Sequence, residues 1–287
     1  MSDSRKPDWL KIHLASSKSY HEVRELIDHK SLHTVCQSAH CPNMGECWSQ
    51  RTATFMILGN ICTRNCRFCA VAKGAALPPD PAEPEHLALA VRELGLRHAV
   101  ITSVSRDDLS DGGAEHFVKC LHSIRKFCNA CTVELLIPDF KGDQVSLQKI
   151  FDSKPDILNH NLEIVPRLYP EARPMANFNT SLNILMAAKQ DKLITKSGIM
   201  VGLGESRQEI LDLFQQLIQV KLDILTIGQY LQSSSKNLVV RKFYHPDEFR
   251  ELKIIAEKLG ISQVESGPLV RSSYHAEAQL LKVVSKN

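Results

Sequence analysis

Between Thr52 and Leu259 the chain switches six times from a short apolar run to a stretch with helical spacing, and few folds accept that rhythm. Thr52–Leu58 reads as a buried strand, as do His98–Ser103, Thr132–Ile137, Asp156–Asn159, Ser197–Val201 and Asp223–Ile227. The intervening helices are Glu85–Leu94, Ala114–Asn129, Asp143–Phe151, Ser181–Gln190, Arg207–Val220 and Pro246–Leu259. Pro84 suits the first turn of the first helix, and Ser206 with Glu209 forms a capping-box pattern ahead of the fifth. Such alternation predicts an α/β fold with a parallel sheet and helices outside it. Six units fit a partial (β/α)6 TIM-type barrel; an open doubly wound sheet is the second arrangement. A helix around Tyr20–Asp28 precedes the units, Ile261–Glu265 is a candidate last strand, and His275–Val284 reads as a terminal helix.

The length of 287 residues suits such a barrel as one domain. With 43% apolar and 23% charged residues, nothing marks the chain as disordered or membrane-bound. A net charge of +3 is too small to argue for nucleic acid. No apolar run reaches the roughly 18 residues of a membrane span, and Met1–Trp9 lacks the apolar segment of a signal peptide. The expectation is a cytoplasmic protein with no nucleic-acid or membrane partner.

Nine cysteines are many for this length, and six of them fall between Cys36 and Cys69. They form two triplets, Cys36-x4-Cys41-x5-Cys47 and Cys62-x3-Cys66-x2-Cys69. In a reducing compartment clustered thiols read as metal or catalytic ligands rather than disulfides. Three thiolates are one short of the four that hold an ordinary [4Fe–4S] cluster, so each triplet would leave one iron open. A zinc ribbon wants paired C-x2-C elements, and only Cys66 and Cys69 make one; bacterial ferredoxins use a C-x2-C-x2-C run. The second triplet, with Phe68 just before Cys69, resembles enzymes that cleave S-adenosylmethionine reductively to a radical. It follows the first strand, and loops after barrel strands line the active face. The first triplet contains Pro42 and Gly45 and reads as a loop. His40 beside Cys41 could serve as a ligand, although the count works without it. Cys120, Cys128 and Cys131 read as structural thiols, with Cys128 in the core of its helix and Cys120 near the border.

Two further segments suit a nucleoside cofactor. Ser197–Glu205 carries Gly198, Gly202 and Gly204, which would let backbone approach adenine, or would simply make a tight strand-to-helix turn. Ile101–Gly113 offers Ser103 and Asp107 among donors and carboxylates for the methionine amine, or is a solvated loop with helix caps. Glu163 sits at a strand end within reach of a cofactor, and Glu205 ends the glycine segment. The candidate S-adenosylmethionine contacts are therefore Ser103, Asp107, Glu163, Gly202 and Glu205.

These residues, taken together, make the chain resemble the lipoyl synthase family over nearly its whole length. The match runs from Lys6-Pro-Asp-Trp-Leu10 through both triplets, Thr102–Gly113, Asn159-His-Asn-Leu-Glu163 and Lys196–Glu205 to Gly267–Ala276. The first triplet joined to Arg271-Ser-Ser-Tyr-His275 is specific to that family among radical enzymes. The resemblance implies insertion of two sulfur atoms, at carbons 6 and 8 of an octanoyl chain amide-linked to a carrier lysine. Each insertion would use one deoxyadenosyl radical. It implies two [4Fe–4S] clusters and S-adenosyl-L-methionine. Cys62, Cys66 and Cys69 would hold the radical-generating cluster. Cys36, Cys41 and Cys47 would hold an auxiliary cluster that is consumed as the sulfur source, with Ser273 as fourth ligand and Ser272 as the near alternative. A serine capping the last helix is the plain reading of that position.

The implied partners are octanoylated lipoyl-carrier domains (2-oxoacid dehydrogenase E2 or glycine cleavage H protein). A one-electron donor such as flavodoxin or ferredoxin and an iron–sulfur carrier that rebuilds the cluster complete the set. Under this reading residues 1–51 form an extension carrying the auxiliary cysteines. Residues 52–260 form a partial barrel of the radical SAM kind, and residues 261–287 carry the serine run back over the barrel mouth. Ser233 stands where the family usually has proline, Lys242 where arginine is common, and Met175 where glycine is usual. Another two-cluster radical enzyme, a methylthiotransferase or a biotin-forming sulfurtransferase, would not need the serine run. An electron carrier would want four thiolates per cluster.

Overall fold

The computed structural model describes residues 6–11, 17–50 and 52–285. Met1–Arg5, the start of the charged opening stretch, lies outside them. The elements are α1 (Lys18–His29), β1 (His33–Thr34), α2 (Val35–Ser38), α3 (Met44–Ser49), β2 (Thr54–Ile57), β3 (Ile61–Cys62), β4 (Ala72–Lys73), α4 (Glu83–Leu94), β5 (His98–Ser103) and α5 (Ala114–Phe127). There follow β6 (Thr132–Leu136), α6 (Gln144–Asp152), β7 (Ile157–Asn159), α7 (Tyr169–Ala172), α8 (Phe178–Gln190), β8 (Thr195–Val201), α9 (Arg207–Gln219), β9 (Ile224–Gln229), α10 (Pro246–Leu259), β10 (Gln263–Gly267) and α11 (Ala276–Val284).

The main sheet runs β1-β2-β5-β6-β7-β8-β9-β10, strictly in chain order. Every pairing from β2 to β10 is parallel, and only the short β1 edge is antiparallel. A doubly wound sheet reverses its strand order midway. No reversal occurs here, so right-handed crossovers put the helices on one side and the sheet curls toward a barrel. The expected partial barrel is what forms, with β10 as a seventh parallel strand. Among the described residues no helix is long and apolar enough to cross a membrane.

Most element bounds follow the sequence pattern to within a few residues. Ser206 and Glu209 make the expected capping box on α9. The first triplet departs from expectation, because it is not loop throughout. Cys36 lies in α2, capped by Thr34, Cys47 lies in α3, and only Cys41 sits between them. Helices of one or two turns are too short to show a period in sequence. The cysteines of α5 are also exchanged relative to expectation. Cys120 is fully buried on the helix, whereas Cys128 is the residue past its end.

Strand residues are buried on both faces, as in other helix-covered parallel sheets. Phe55, Ile101, Leu135, Leu158 and Leu225 pack outward under the helices. The inner face carries a polar layer. Glu134 pairs in register with Ile157, and Lys196 with Asn159 and Ile224, so these side chains share that face. The Lys196 ammonium donates to Glu134 Oε2 at 2.9 Å, and Asn159 Nδ2 donates to Glu134 Oε1 at 2.7 Å. Below this layer, at the first residues of β7 and β9, Leu280 and Val283 of α11 pack on Ile157 and Ile224. The terminal helix thereby seals the N-terminal end of the strands.

Candidate active site

Above the polar layer the inner face opens into a cavity of about 320 Å3. Met56, Thr102, Leu136, Gly198, Thr226 and Gly228 line it from five strands. Each side chain is an even step from the buried polar layer, because a strand points every second residue the same way. Cys36, Cys41, Cys62, Cys66 and Cys69 reach this one cavity, as do Ser272 and Ser273. Cys36 takes a backbone hydrogen bond from Thr54 at the start of β2, while Cys62 follows the end of that strand. The triplets therefore flank β2 along its length.

The terminal serines arrive by a close approach. After β10 the chain turns inward and lays the Val270 carbonyl against Gly228 on the inner face of β9, where any Cβ would collide with it. The run then meets the first-triplet segment at the open edge. Asn43 Nδ2 donates to the Leu269 carbonyl at 2.7 Å, and the Tyr274 hydroxyl lies 3.1 Å from Glu46. Between the two ends of the sheet, β1 and β10, these contacts are made by side chains and loop rather than by strand pairing.

All three thiols of the first triplet feel burial. It pushes Cys36 up to about 11, with help from Cys41, and Cys47 up to about 12, with Cys36 and Cys41 both repelling its charge. Cys41 is also raised by burial, against the pull of a hydrogen bond from Asn43 and the nearby Arg271 guanidinium. Cys47 does not itself line the cavity, although Cys36 and Cys41 both act on its charge. In the second triplet burial lifts Cys69 to about 11, and Cys66 and Cys62 add to it. A bound metal would hold such thiols as thiolates despite this burial.

Arg64, between Cys62 and Cys66, braces the second loop. Its Nε and one terminal nitrogen bond both oxygens of Asp107 at 2.7 and 2.9 Å, and its other terminal nitrogen bonds Asp139 at 2.7 Å. Arg64 and Asp139 are almost fully buried. Burial alone would raise the Asp139 carboxyl, but Arg64 holds it below the usual carboxylate range. Three strand-end loops are thus pinned to one guanidinium, whose own backbone N–H points at Cys62 Sγ from 3.4 Å. Asn237 adds a clamp from the loop after β9, donating to the carbonyls of Arg67 and Cys69 at 3.1 Å each. Lysine cannot reproduce the fork. Arg64→Lys is expected to cost about 1–3 kcal/mol, the penalty for a buried acceptor left unpaired. The urea midpoint measures it, and a midpoint equal to wild type would show that the brace contributes nothing to stability.

Among the five cofactor contacts expected from sequence, the structure brings two to the cavity. Ser103 lines it, and so does Glu163. Glu163 holds a left-handed backbone, φ +70, while its N–H and carbonyl bond Gly198 and Met200 of β8. Burial raises its carboxyl; Arg173 and Asn161 oppose that. The other three lie elsewhere. Asp107 is spent on Arg64. Glu205 folds back to accept the N–H groups of Gly202 and Leu203 at 2.6 and 2.9 Å. A Cβ on Gly202 would strike the Gln229 side chain, so Gly202 sits in a tight turn, while Gly198 of the same segment lines the cavity. Lys242 pairs with Glu248 at 2.6 Å outside the cavity, and Met175 is exposed. Ser233 bonds Asn237, the residue that clamps the cysteine loop. Sequence reasoning missed His160, Asn161 and Arg173, all of which line the cavity. Their signal was their place around Glu163 at the end of a strand.

Among the described residues no group of three or more His, Cys, Asp or Glu side chains could hold a single metal ion. A tetrahedral zinc would need its sulfurs about 3.8 Å apart, given bonds of roughly 2.3 Å. An iron–sulfur cube would spread its ligands wider, one thiolate to each iron that it holds. All nine cysteines are free.

The comparisons agree with this geometry. The pattern of the Radical SAM superfamily matches residues 56–217, the stretch that holds the second triplet and most of the barrel. A lipoyl synthase of Caldanaerobacter subterraneus subsp. tengcongensis is 52% identical over 278 residues, 96% of this chain and 97% of its own length. One of Alkaliphilus metalliredigens is 50% identical over 284 residues, covering 98% of each chain. Solved structures share the fold at 13% identity. A maturase of the [FeFe]-hydrogenase has a TM-score of 0.56, with 92% of this chain and 71% of that one covered. Methylornithine synthase has a TM-score of 0.51, with 87% and 78% covered. Identity of this degree along the full length, joined to a cavity that five of the six clustered cysteines and the serine run reach, places the chain in the lipoyl synthase family of the radical SAM superfamily.

Proposed function

We propose that the chain inserts sulfur at carbons 6 and 8 of an octanoyl group carried on a lysine of a lipoyl-carrier domain. Membership of the superfamily brings a [4Fe–4S] cluster and S-adenosylmethionine with it; Cys62, Cys66 and Cys69 would hold that cluster. Bound there, the pair supplies a one-electron cleavage that yields a carbon radical able to take hydrogen from an unactivated C–H bond. A second cluster on Cys36, Cys41, Cys47 and Ser273 would be a substrate, giving up its sulfide.

The observation that carries this reading is the shared cavity. Its walls include Val35, Met56, Val104, Ile137, Ile199 and Val270, an apolar lining suited to an alkyl chain. The chain's own tasks follow from position. The thiols would hold the two clusters at the walls of the cavity that takes the alkyl group, and the burial around them would exclude water that quenches a radical. Ser273 offers a hard oxygen where soft sulfur is usual, a ligand that is easily displaced when the cluster opens. The substrate-bearing domains are those of 2-oxoacid dehydrogenases or of the glycine cleavage system, reduction comes from a flavodoxin or ferredoxin, and an iron–sulfur carrier restores the spent cluster.

Anaerobic incubation with an octanoylated carrier domain, S-adenosylmethionine and a reductant is expected to give lipoyl product and 5′-deoxyadenosine. Ser273→Ala should lower sulfur transfer at least tenfold while 5′-deoxyadenosine continues to form. Ser272→Ala should leave both within about twofold. Equal loss of both activities in Ser273→Ala would assign that serine to folding instead.

A further inference from the structure

One wall of the cavity holds a base with an unused lone pair. His160 is 1% exposed and follows β7. Its Nδ1 lies 2.9 Å from the Ile137 carbonyl. A carbonyl only accepts, so Nδ1 carries the proton and Nε2 presents a lone pair. Burial, with the Arg173 cation nearby, pushes this imidazole down to about 4, which keeps it neutral. Nε2 is buried and has no hydrogen-bond partner among the described residues. Ser103 Oγ and Asn161 Oδ1 are unpartnered on the same cavity wall. Arg173 Nε, a donor, is also buried and unpartnered on a residue that lines the cavity. Buried polar atoms seldom stay unpaired in a native protein, so this wall is shaped for a ligand that carries several donors and at least one acceptor.

Resting on the function proposed above, we infer that His160 Nε2 accepts a hydrogen bond from S-adenosylmethionine and so positions it in the cavity. The octanoyl-lysine substrate makes a poor alternative. It has a single N–H, at the lysine end of an otherwise apolar chain. The nucleoside cofactor carries an ammonium, two ribose hydroxyls and an adenine amine.

The test is equilibrium binding of S-adenosylmethionine to the cluster-loaded protein without reductant, where no turnover occurs. His160→Leu is expected to bind about tenfold more weakly at unchanged iron content. His160→Gln can still donate to the Ile137 carbonyl and accept with its amide oxygen, and should stay within about threefold of wild type. Three cofactor analogues, each lacking the ammonium, a ribose hydroxyl or the adenine amine, then complete a double-mutant cycle. One of them should lose affinity for wild type yet bind wild type and His160→Leu alike. If every analogue keeps the same ratio between the two proteins, Nε2 faces water or structure and the inference is wrong. Weakened octanoyl-substrate binding with cofactor binding intact would also overturn it. A wild type that binds no S-adenosylmethionine at all would instead defeat the parent reading.

Discussion

Replacing Cys36, Cys41 and Cys47 together by alanine is expected to leave a protein that still makes 5′-deoxyadenosine but no lipoyl product. Iron should fall from about eight atoms per chain to about four, one cube lost of two. The separation follows from how the two loops are held. The second triplet is braced by Arg64 on Asp107 and Asp139 and clamped by Asn237, and none of those contacts passes through α2 or α3. The first triplet rests on other supports, namely the Thr34 cap, the Asn43 bond to Leu269 and the Tyr274 contact with Glu46. Removing three thiols shrinks a buried region, so far-UV circular dichroism should accompany the assay. Lipoyl product at wild-type yield from this variant would disprove the sulfur-donor role of the first triplet.

Lys196→Met is expected to be the most destabilising single change considered, at about 3–5 kcal/mol, because it strands a buried carboxylate. Glu134 would keep the Asn159 hydrogen bond and the more distant His98 ring, whose Nε2 stands 3.6 Å from Oε2. The double variant Lys196→Met/Glu134→Gln should recover most of the loss, as the remaining groups are neutral. Acid tests the same pair in wild type. Burial would raise the Glu134 carboxyl, but Lys196 and the hydrogen bonds around it hold it down at about 2, against 4.5 for a free side chain. A depressed carboxylate adds stability that is fully present above its unfolded value and is lost as pH falls. The wild-type urea midpoint should therefore drop between pH 4.5 and about 2. The double variant should lack that part of the drop. Identical acid profiles for the two proteins would show that the pair does not govern the transition.

The sequence by itself determined the alternation of parallel strands with helices, the bounds of most helices and the two thiol triplets. Those features are written locally. A strand with apolar residues on both faces, a capping box at Ser206 and Glu209, and cysteines three to six residues apart each declare themselves within one short segment. Tertiary structure decided what the loops do. Asp107 looked free for a ligand and is consumed by Arg64; Glu205 looked ready for a cofactor and closes its own turn. His160 carried no expected role and is a buried acceptor, because the Ile137 carbonyl that fixes its tautomer comes from the segment after β6. Lys196 and Glu134 lie far apart in the chain, and only the register of β6, β7 and β8 brings them face to face. A polar side chain's task depends on which partner takes up its hydrogen bonds, and that partner is chosen by the packing of distant segments.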